Sequence, residues 1–266
     1  MIHPPNILTI AGSDSGGGAG IQADLKTMTN LGCFGMSVIT ALTAQNGLGV
    51  TGIFAPPPEF VALQLKTVLD GFKVHAAKTG MLFSEAIIKA VANSLKGRTF
   101  PLVVDPVCVS QSGHQLLELD AVQALREYII PLADLLTPNR HEAELLANMT
   151  IANPDDVAVA GQKLLAMGAK AVLIKGGHFE EKPILVTDWL ITRDRDPEPL
   201  RQPHVDTPNN HGTGCTLAAG IASYLGLEMP LRVAVTKAQE YLNAGLRHAY
   251  AAGKGAGAPN HMAWKK

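Results

Sequence analysis

The segment 210–217, with the letters NHGTGCTL, carries the residues best suited to chemistry. Two glycines let the backbone bend sharply, and the small apolar run that follows predicts a helix beginning near Cys215. The first N–H groups of a helix, with the positive end of its dipole, form a site for an anion. Gly212, Thr213 and Gly214 are therefore candidates for an anion hole. In that field the pKa of the Cys215 thiol should be lowered, which makes it a candidate base; the alternative is a helix cap with an incidental cysteine.

A second candidate is the glycine-rich run 11–20, AGSDSGGGAG, between the first predicted strand and the first predicted helix. Its serines and Asp14 fit a dinucleotide fingerprint poorly, and no Lys-Ser or Lys-Thr follows its last glycine as in a Walker A motif. The run is either a tight turn or a loop whose backbone packs closely on a flat small molecule. Asp24, one turn into the helix, either reaches the same space or favours the helix dipole.

Two further segments carry oxygen ligands and a cation. Asn139 and Glu142 are three residues apart at a predicted helix start, so they share one face. Their oxygens could hold a hydrated Mg²⁺ through its waters, with Asp105 at a strand end as a further partner. The alternative is a capping box with Asn139 as the N-cap. Lys175, which ends a strand before Gly176, is either a phosphate ligand or an edge lysine with its ammonium group in water.

The elements that must position these residues alternate between short aliphatic runs and longer segments with helical periodicity. Near-continuous aliphatic runs are typical of a parallel sheet buried on both faces. They predict strands at Ile7–Ala11, Ser37–Ala44, Val74–Lys78, Leu102–Asp105, Leu132–Leu136 and Ala171–Lys175. Later strands, antiparallel at the sheet edge, are predicted at Ile184–Thr192 and Pro203–Thr207. Helices are predicted at Ile21–Asn30, Pro58–Gly71, Ser84–Leu95, Leu119–Ile130, His141–Ala147, Pro154–Met167, Cys215–Leu225 and Arg232–Ala251.

This alternation predicts a doubly wound α/β structure, and residues 1–266 show no linker or repeat, so we expect one domain. In open sheets of this kind, ligands bind beyond the carboxyl ends of the strands. The glycine-rich run, Gln45, Asp105, Asn139 and Gly176 each follow a predicted strand. The sequence therefore predicts a single composite site.

Composition limits the classes of partner. The chain has 47% hydrophobic residues, 17% charged residues, a net charge of −1 and no basic cluster, which argues against nucleic acid and membrane surfaces as partners. Its three cysteines form no CxxC pair, so neither a disulfide framework nor a cysteine zinc site is expected. No signal-like start and no apolar stretch of about 20 residues is present. We expect a cytoplasmic protein.

In collinear order, these segments resemble the ribokinase-like kinases and, among them, the hydroxymethylpyrimidine/phosphomethylpyrimidine kinases of thiamine biosynthesis. The resemblance rests on Ala11–Thr27, Val38–Asn46, Lys78–Leu82, Asp105–Val107, Thr137–Asn139 with Glu142, Lys175–His178 and His211–Leu217. It implies a three-layer α/β/α sandwich with a mostly parallel central sheet and helices on both faces. It also implies a homodimer that uses ATP and Mg²⁺ to phosphorylate 4-amino-5-hydroxymethyl-2-methylpyrimidine, and then to convert the monophosphate to the diphosphate.

The resemblance assigns the substrate side of the site. Cys215 stands where other ribokinase-like enzymes carry an aspartate base, and it would deprotonate the substrate hydroxymethyl group. Gln45 would read the aminopyrimidine edge with two hydrogen bonds, with Asp24 in the same substrate site. The ring would pack against Ala19, Gly20, Met81 and Val107.

The resemblance assigns the nucleotide side as well. Gly212, Thr213 and Gly214 would hold the transferred phosphoryl group. Lys175, Gly176, Asn139 and Thr213 would contact ATP. Asp105, Asn139 and Glu142 would organise Mg²⁺.

Two positions depart from the family pattern. Many relatives carry methionine and lysine where this chain has Cys108 and Gln111, so we expect weaker handling of the phosphorylated intermediate. The nearest alternative is a pyridoxal kinase on the same scaffold, although Gln45 and Met81 favour the pyrimidine. A non-catalytic ligand sensor and a glycine-loop oxidoreductase are more distant alternatives.

Overall fold

The computed structural model describes residues 3–108, 119–176 and 184–264. Its strands are β1 (Asn6–Asp14), β2 (Phe34–Asn46), β3 (Gly49–Phe54), β4 (Ala76–Thr79), β5 (Leu102–Val104), β6 (Leu135–Leu136), β7 (Ala171–Ile174), β8 (Leu185–Thr192) and β9 (Arg195–Pro203). Its α-helices are α1 (Gly20–Asn30), α2 (Pro58–Gly71), α3 (Glu85–Ser94), α4 (Leu119–Ala124), α5 (Arg140–Ala147), α6 (Pro154–Ala166), α7 (Thr213–Gly226) and α8 (Leu231–Arg247).

The described strands form one sheet in the spatial order β3-β2-β1-β4-β5-β6-β7-β8-β9. Strands β1, β2, β4, β5, β6 and β7 pair in parallel. Strand β3 is antiparallel to β2 at one edge, and β8 and β9 are antiparallel at the other. The predicted layered α/β fold with antiparallel late strands is confirmed.

Side chains of the parallel strands alternate between two cores. On β1, Leu8 and Ile10 pack into a core formed with α2 to α6, whereas Ile7 packs into a core formed with α1, α7 and α8. On β5, Leu102 and Val104 pack into the first of these cores and Val103 into the second. Helices therefore cover both faces of the sheet, which explains why the parallel strands are near-continuous aliphatic runs.

Two predicted elements differ from the structure, and one strand was not predicted. Strand β3 was not predicted, because it lies at the sheet edge with mostly exposed side chains and lacks a buried apolar face. The strand predicted at Pro203–Thr207 is wrong; the real strand is β9 (Arg195–Pro203), whose prolines are compatible only with an edge position. The helix predicted at Leu119–Ile130 is α-helical only to Ala124 and continues as a π-helical turn (Leu125–Ile129). A 3₁₀ turn (Ile130–Leu132) follows, and it contains Pro131, which cannot continue an α-helix.

The strand order places a ligand crevice at β1. The chain moves from β1 outward to β2 and β3 and then returns to β4 on the other side of β1. At such a switch point the loops after neighbouring parallel strands diverge and leave a crevice at their carboxyl ends. None of the helices in the described ranges combines the length and apolarity needed to cross a membrane.

Candidate active site

A cavity of about 1040 Å³ opens at the carboxyl ends of the parallel strands. It brings together residues from the end of β2, from the loops after β1, β4, β5, β6 and β7 and from the start of α7. The predicted site residues that line it are Ala19, Gly20, Gln45, Met81, Asp105, Val107, Asn139, Glu142, Lys175, Gly176, Gly212, Thr213, Gly214 and Cys215. Of the predicted site residues, only Asp24 lies elsewhere.

The start of α7 forms one wall of the cavity. Its N-cap, Gly212, has a φ of 84°, and a Cβ there would lie 1.9 Å from the carbonyl oxygen of Gly18. The first intrahelical hydrogen bond is donated by Thr216 N to Gly212 O at 2.9 Å. The N–H groups of Gly214 and Cys215 precede it, so they have no acceptor within the helix. No side chain in the described part of the chain caps this helix end, and the geometry leaves it suited to an external anion.

The Cys215 thiol is half-buried at this helix start. Burial raises its pKa to about 11, although the nearby Lys78 ammonium and the Gly20 N–H both favour the thiolate. The expected lowering of the Cys215 pKa is therefore wrong. The neighbouring cation and the Gly20 N–H do not offset the loss of water around the sulfur.

Asp24 forms a buried ion pair behind the cavity wall. Its carboxylate accepts from Lys78 Nζ at 3.1 and 3.2 Å and from Thr9 Oγ1 at 2.6 Å, and all three residues are fully buried. Burial by itself would lower the pKa of Lys78, but the attraction of Asp24 raises it. Burial raises the pKa of Asp24, while Lys78 and Thr9 oppose that rise. The contacts from Lys78 Nζ to both carboxylate oxygens favour the charged pair. The expectation that Asp24 contacts the substrate is not met, because its carboxylate is occupied within the core.

Asp105 and Lys175 form a second ion pair, which lies in the cavity. Lys175 Nζ donates to Asp105 Oδ1 at 2.8 Å. A Cβ at Gly214 would lie 3.4 Å from both Asp105 Oδ2 and Lys175 Nζ, so the start of α7 faces this pair directly. Burial would lower the pKa of Lys175, but Asp105 and Glu142 raise it. The lysine is thus a fixed cation beside the candidate anion hole.

Asn139 and Glu142 form the capping box that the spacing allowed. Glu142 N donates to Asn139 Oδ1 at 2.9 Å, and Asn139 N donates to Glu142 Oε2 at 2.8 Å. The other carboxylate oxygen accepts from Cys108 N at 3.3 Å. Burial raises the pKa of Glu142, while Lys175 lowers it. Within the three described ranges, no three His, Cys, Asp or Glu side chains converge on a metal position.

The wall beside the start of α7, formed by the loop after β1, is compact enough for close contact with a flat ligand. Gly20 has a φ of 57°, and a Cβ there would lie 2.4 Å from Gly12 O, so the loop after β1 can be this compact only with glycine. Gly12 in turn packs against the end of the Met81 side chain. Val107, which also lines the wall, has a φ of 36°, a strained conformation for a β-branched residue.

Asp14, His211 and Thr43 line the cavity but were not assigned roles from the sequence. Asp14 accepts backbone N–H groups from Gly16, Gly18 and Ala19 at 2.8 to 3.0 Å, and its Oδ2 lies 3.0 Å from His211 Nε2. Thr43 Oγ1 contacts the Gln45 amide. An acid two residues before a glycine run was the available signal for the Asp14 turn, since short acids bond to backbone N–H groups that follow them. Gln111 lies outside the described residues.

The chain is similar to known proteins along nearly its whole length. The family model for phosphomethylpyrimidine kinase matches residues 14–260. A hydroxymethylpyrimidine/phosphomethylpyrimidine kinase of Haemophilus influenzae is 43% identical over 268 residues, covering both chains fully. The thiamine biosynthesis bifunctional protein ThiED of Geobacter sulfurreducens is 46% identical over 97% of this chain, which spans 52% of that relative's length.

The fold is also similar to a solved structure. An ADP complex of Bacillus subtilis pyridoxal kinase superimposes with a TM-score of 0.88 and 34% identity, covering 98% of each chain. The family match extends over nearly the whole chain and includes the start of α7 and the ion pair that faces it. The chain therefore belongs to the phosphomethylpyrimidine kinase family.

Proposed function

We propose that this chain phosphorylates 4-amino-5-hydroxymethyl-2-methylpyrimidine with ATP and then converts the monophosphate to the diphosphate. The observation that carries the proposal is the meeting of three groups in one cavity: the start of α7, the Asp105–Lys175 pair, and the Gln45 amide. A kinase needs an anion hole, a fixed cation and a recognition group for its acceptor substrate. The family membership supports the same activity.

On the nucleotide side, Lys175 would neutralise phosphate charge, and the N–H groups of Gly214 and Cys215 would receive the moving phosphoryl group. Thr213, Gly176 and Asn139 line the same end of the cavity. These groups are fixed before the reaction, so they can stabilise developing charge without reorganising.

The carboxylates of Asp105 and Glu142 fit Mg²⁺ as groups that act through its waters. Their oxygens already accept hydrogen bonds from Lys175, Asn139 and Cys108. This donor set suits a cation that keeps several waters and takes its other ligands from phosphates. When bound, Mg²⁺ would offset the negative charge of ATP, while the protein side chains orient its hydration shell.

Cys215 would act as the base for the first step, in which a substrate hydroxyl must lose its proton. Since burial raises the pKa of the thiol to about 11, the resting residue is protonated and must ionise before it can accept that proton. The Lys78 charge and the Gly20 N–H are the groups that favour the thiolate. The second step has an anionic phosphate oxygen as its nucleophile, so a base has little to do there.

The test compares the two steps separately in Cys215→Ala and Cys215→Asp, using mass spectrometry under single-turnover conditions with ATP. We expect Cys215→Ala to slow the first step by about 100-fold or more and the second by less than about tenfold. Cys215→Asp supplies a carboxylate base and should recover part of the first step. Equal loss in both steps would assign Cys215 a positional role.

Pyridoxal turnover, measured in parallel, separates this function from the alternative kinase on the same scaffold. If pyridoxal is phosphorylated and the pyrimidine is not, the proposed substrate is wrong. We also predict a homodimer, which sedimentation would check, and a cytoplasmic location, which cell fractionation would check.

A further inference from the structure

The Gln45 amide lies at the centre of a hydrogen-bond chain that includes His211, Asp14 and Thr43. As placed, Gln45 Nε2 lies 3.4 Å from His211 Nε2, and Thr43 Oγ1 lies 3.0 Å from Gln45 Oε1. The same Thr43 hydroxyl lies 2.9 Å from the carbonyl oxygen of Ser13. These contacts determine which end of the amide is its oxygen, because the two ends differ only in what they donate and accept.

The Asp14 carboxylate fixes the proton on His211. Three backbone N–H groups donate to its two oxygens, and these bonds together with His211 hold the pKa of Asp14 below its usual value although burial opposes them. An ionised carboxylate only accepts, so the contact at 3.0 Å requires a hydrogen on His211 Nε2. This holds whether the ring is neutral or protonated.

A ring nitrogen that carries a hydrogen has no lone pair with which to accept from an amide. The end of the Gln45 amide that faces His211 must therefore be its oxygen, which shares the Nε2 hydrogen with Asp14. The nitrogen then faces Thr43 and donates to its hydroxyl oxygen, while that hydroxyl donates its own proton to Ser13 O. Each contact among these residues now joins a donor to an acceptor, and one Gln45 N–H is left to face the cavity.

We propose that His211 is a positioning residue that sets substrate specificity by fixing the orientation of the Gln45 amide, with its oxygen toward His211 and its nitrogen toward Thr43. The inference rests on the proposed function and deepens it. The backbone of Gln45 is fixed independently, because Ser15 Oγ donates to Gln45 O and accepts from Gln45 N, both at 2.9 Å.

This orientation predicts how the substrate ring is read. The second lone pair of the Gln45 oxygen accepts from the exocyclic amine, and the second N–H donates to the adjacent ring nitrogen. The 4-oxo analogue, which has an acceptor at C4 and a donor at N3, presents the opposite pattern. The fixed amide would reject that analogue, whereas a freely turning amide would tolerate it.

The first measurement is made on the free protein by nuclear magnetic resonance. Nitrogen-15 spectra of the ring should show a protonated Nε2 on His211, assigned by comparison with His211→Phe. Proton–proton contacts should join the Gln45 amide hydrogens to the Thr43 methyl group. Either of two results would overturn the proposal without any measurement of activity: a His211 Nε2 that carries no hydrogen, or contacts from the Gln45 amide hydrogens to the His211 ring.

The second measurement is the ratio of kcat/KM for the 4-amino substrate to that for the 4-oxo analogue. His211→Phe keeps a ring packed on Gly18 but removes the donor, and we expect the ratio to fall about tenfold, the effect of one hydrogen bond. His211→Gln returns an N–H near the same place and should restore much of the ratio. His248→Phe, an exposed site outside the cavity, is the matched control and should leave it unchanged.

The two measurements separate the possible failures. If the wild-type protein turns over neither pyrimidine, the proposed function fails, and the resonance data still decide the orientation of Gln45. If it turns over the 4-amino substrate but His211→Phe keeps the full ratio, the specificity role of His211 is refuted. An equal loss of both activities would reduce His211 to a structural role.

Discussion

Replacing Lys78 with methionine removes the charge from one half of the buried ion pair behind Cys215. Among the described residues, Asp24 would keep only the Thr9 hydroxyl at 2.6 Å as a side-chain partner, in a part of the core where its carboxylate is fully buried. An unpaired buried charge of this kind costs about 3–5 kcal/mol of the free energy of unfolding. Methionine fills a similar volume, so little of the loss should come from a cavity.

Urea denaturation measures this loss. With a denaturant slope of about 2–3 kcal/mol per molar, the midpoint of Lys78→Met should fall by about 1–2 M. Lys66→Met is the matched control, because Lys66 forms an exposed ion pair with Asp70 on α2, their side chains being 70% and 62% exposed. Its midpoint should shift by about 0.2 M or less.

A double variant separates the lost pair from a general disturbance of the core. Asp24→Asn combined with Lys78→Met leaves neither charge of this ion pair. The urea midpoint of the double variant should therefore lie above that of Lys78→Met alone. If Lys78→Met unfolds at the wild-type midpoint, or if the double variant is the less stable of the two, the ionised pair does not have the role that its geometry indicates.

Further predictions follow from the backbone, the thiol and a buried histidine. Gly212→Ala places a Cβ 1.9 Å from Gly18 O and should lower kinase turnover by about 100-fold or more. The control is Gly97→Ala, at a φ of 74° with open space around it, which should cost about 1–2 kcal/mol of stability and leave turnover unchanged. Similar turnover in both variants would refute the clash at Gly212. Alkylation of Cys215 by iodoacetamide, followed by mass spectrometry, should accelerate up to about pH 10, because burial raises its pKa to about 11; a plateau below pH 8 would contradict this. Burial lowers the pKa of His261 to about 4, so the unfolded chain binds a proton first as the pH falls. Between about pH 6.5 and 4 this residue should reduce stability by up to about 1.4 kcal/mol per pH unit, and His261→Gln should lose that part of the slope.

Much of the fold could be predicted because burial on both faces leaves a strong pattern. The aliphatic runs of β1 and β7 are recognisable without any knowledge of their neighbours, and α2 has its predicted bounds (Pro58–Gly71). Strand β3 and strand β9 could not be placed, because edge strands are partly exposed and carry no continuous apolar run. Their positions depend on which strand they pair with.

The candidate site divides in the same way. The sequence by itself determined the local features: the turn and helix start around Gly212, the Asn139–Glu142 capping box, and the placement of polar residues after the strands. These depend on residues close together in the chain, whose backbone hydrogen bonds are satisfied locally.

Only the tertiary structure decided the chemical state of the site. Asp24 is drawn into the core by Lys78, 54 residues away, and the Gln45 amide is oriented by His211, 166 residues away. The Cys215 thiol has a raised pKa because packing removes its water, a cost that the Lys78 charge does not offset. The burial of a group and its distance from other charges depend on how distant segments pack. Neither can be predicted from the residues that neighbour the group in the sequence.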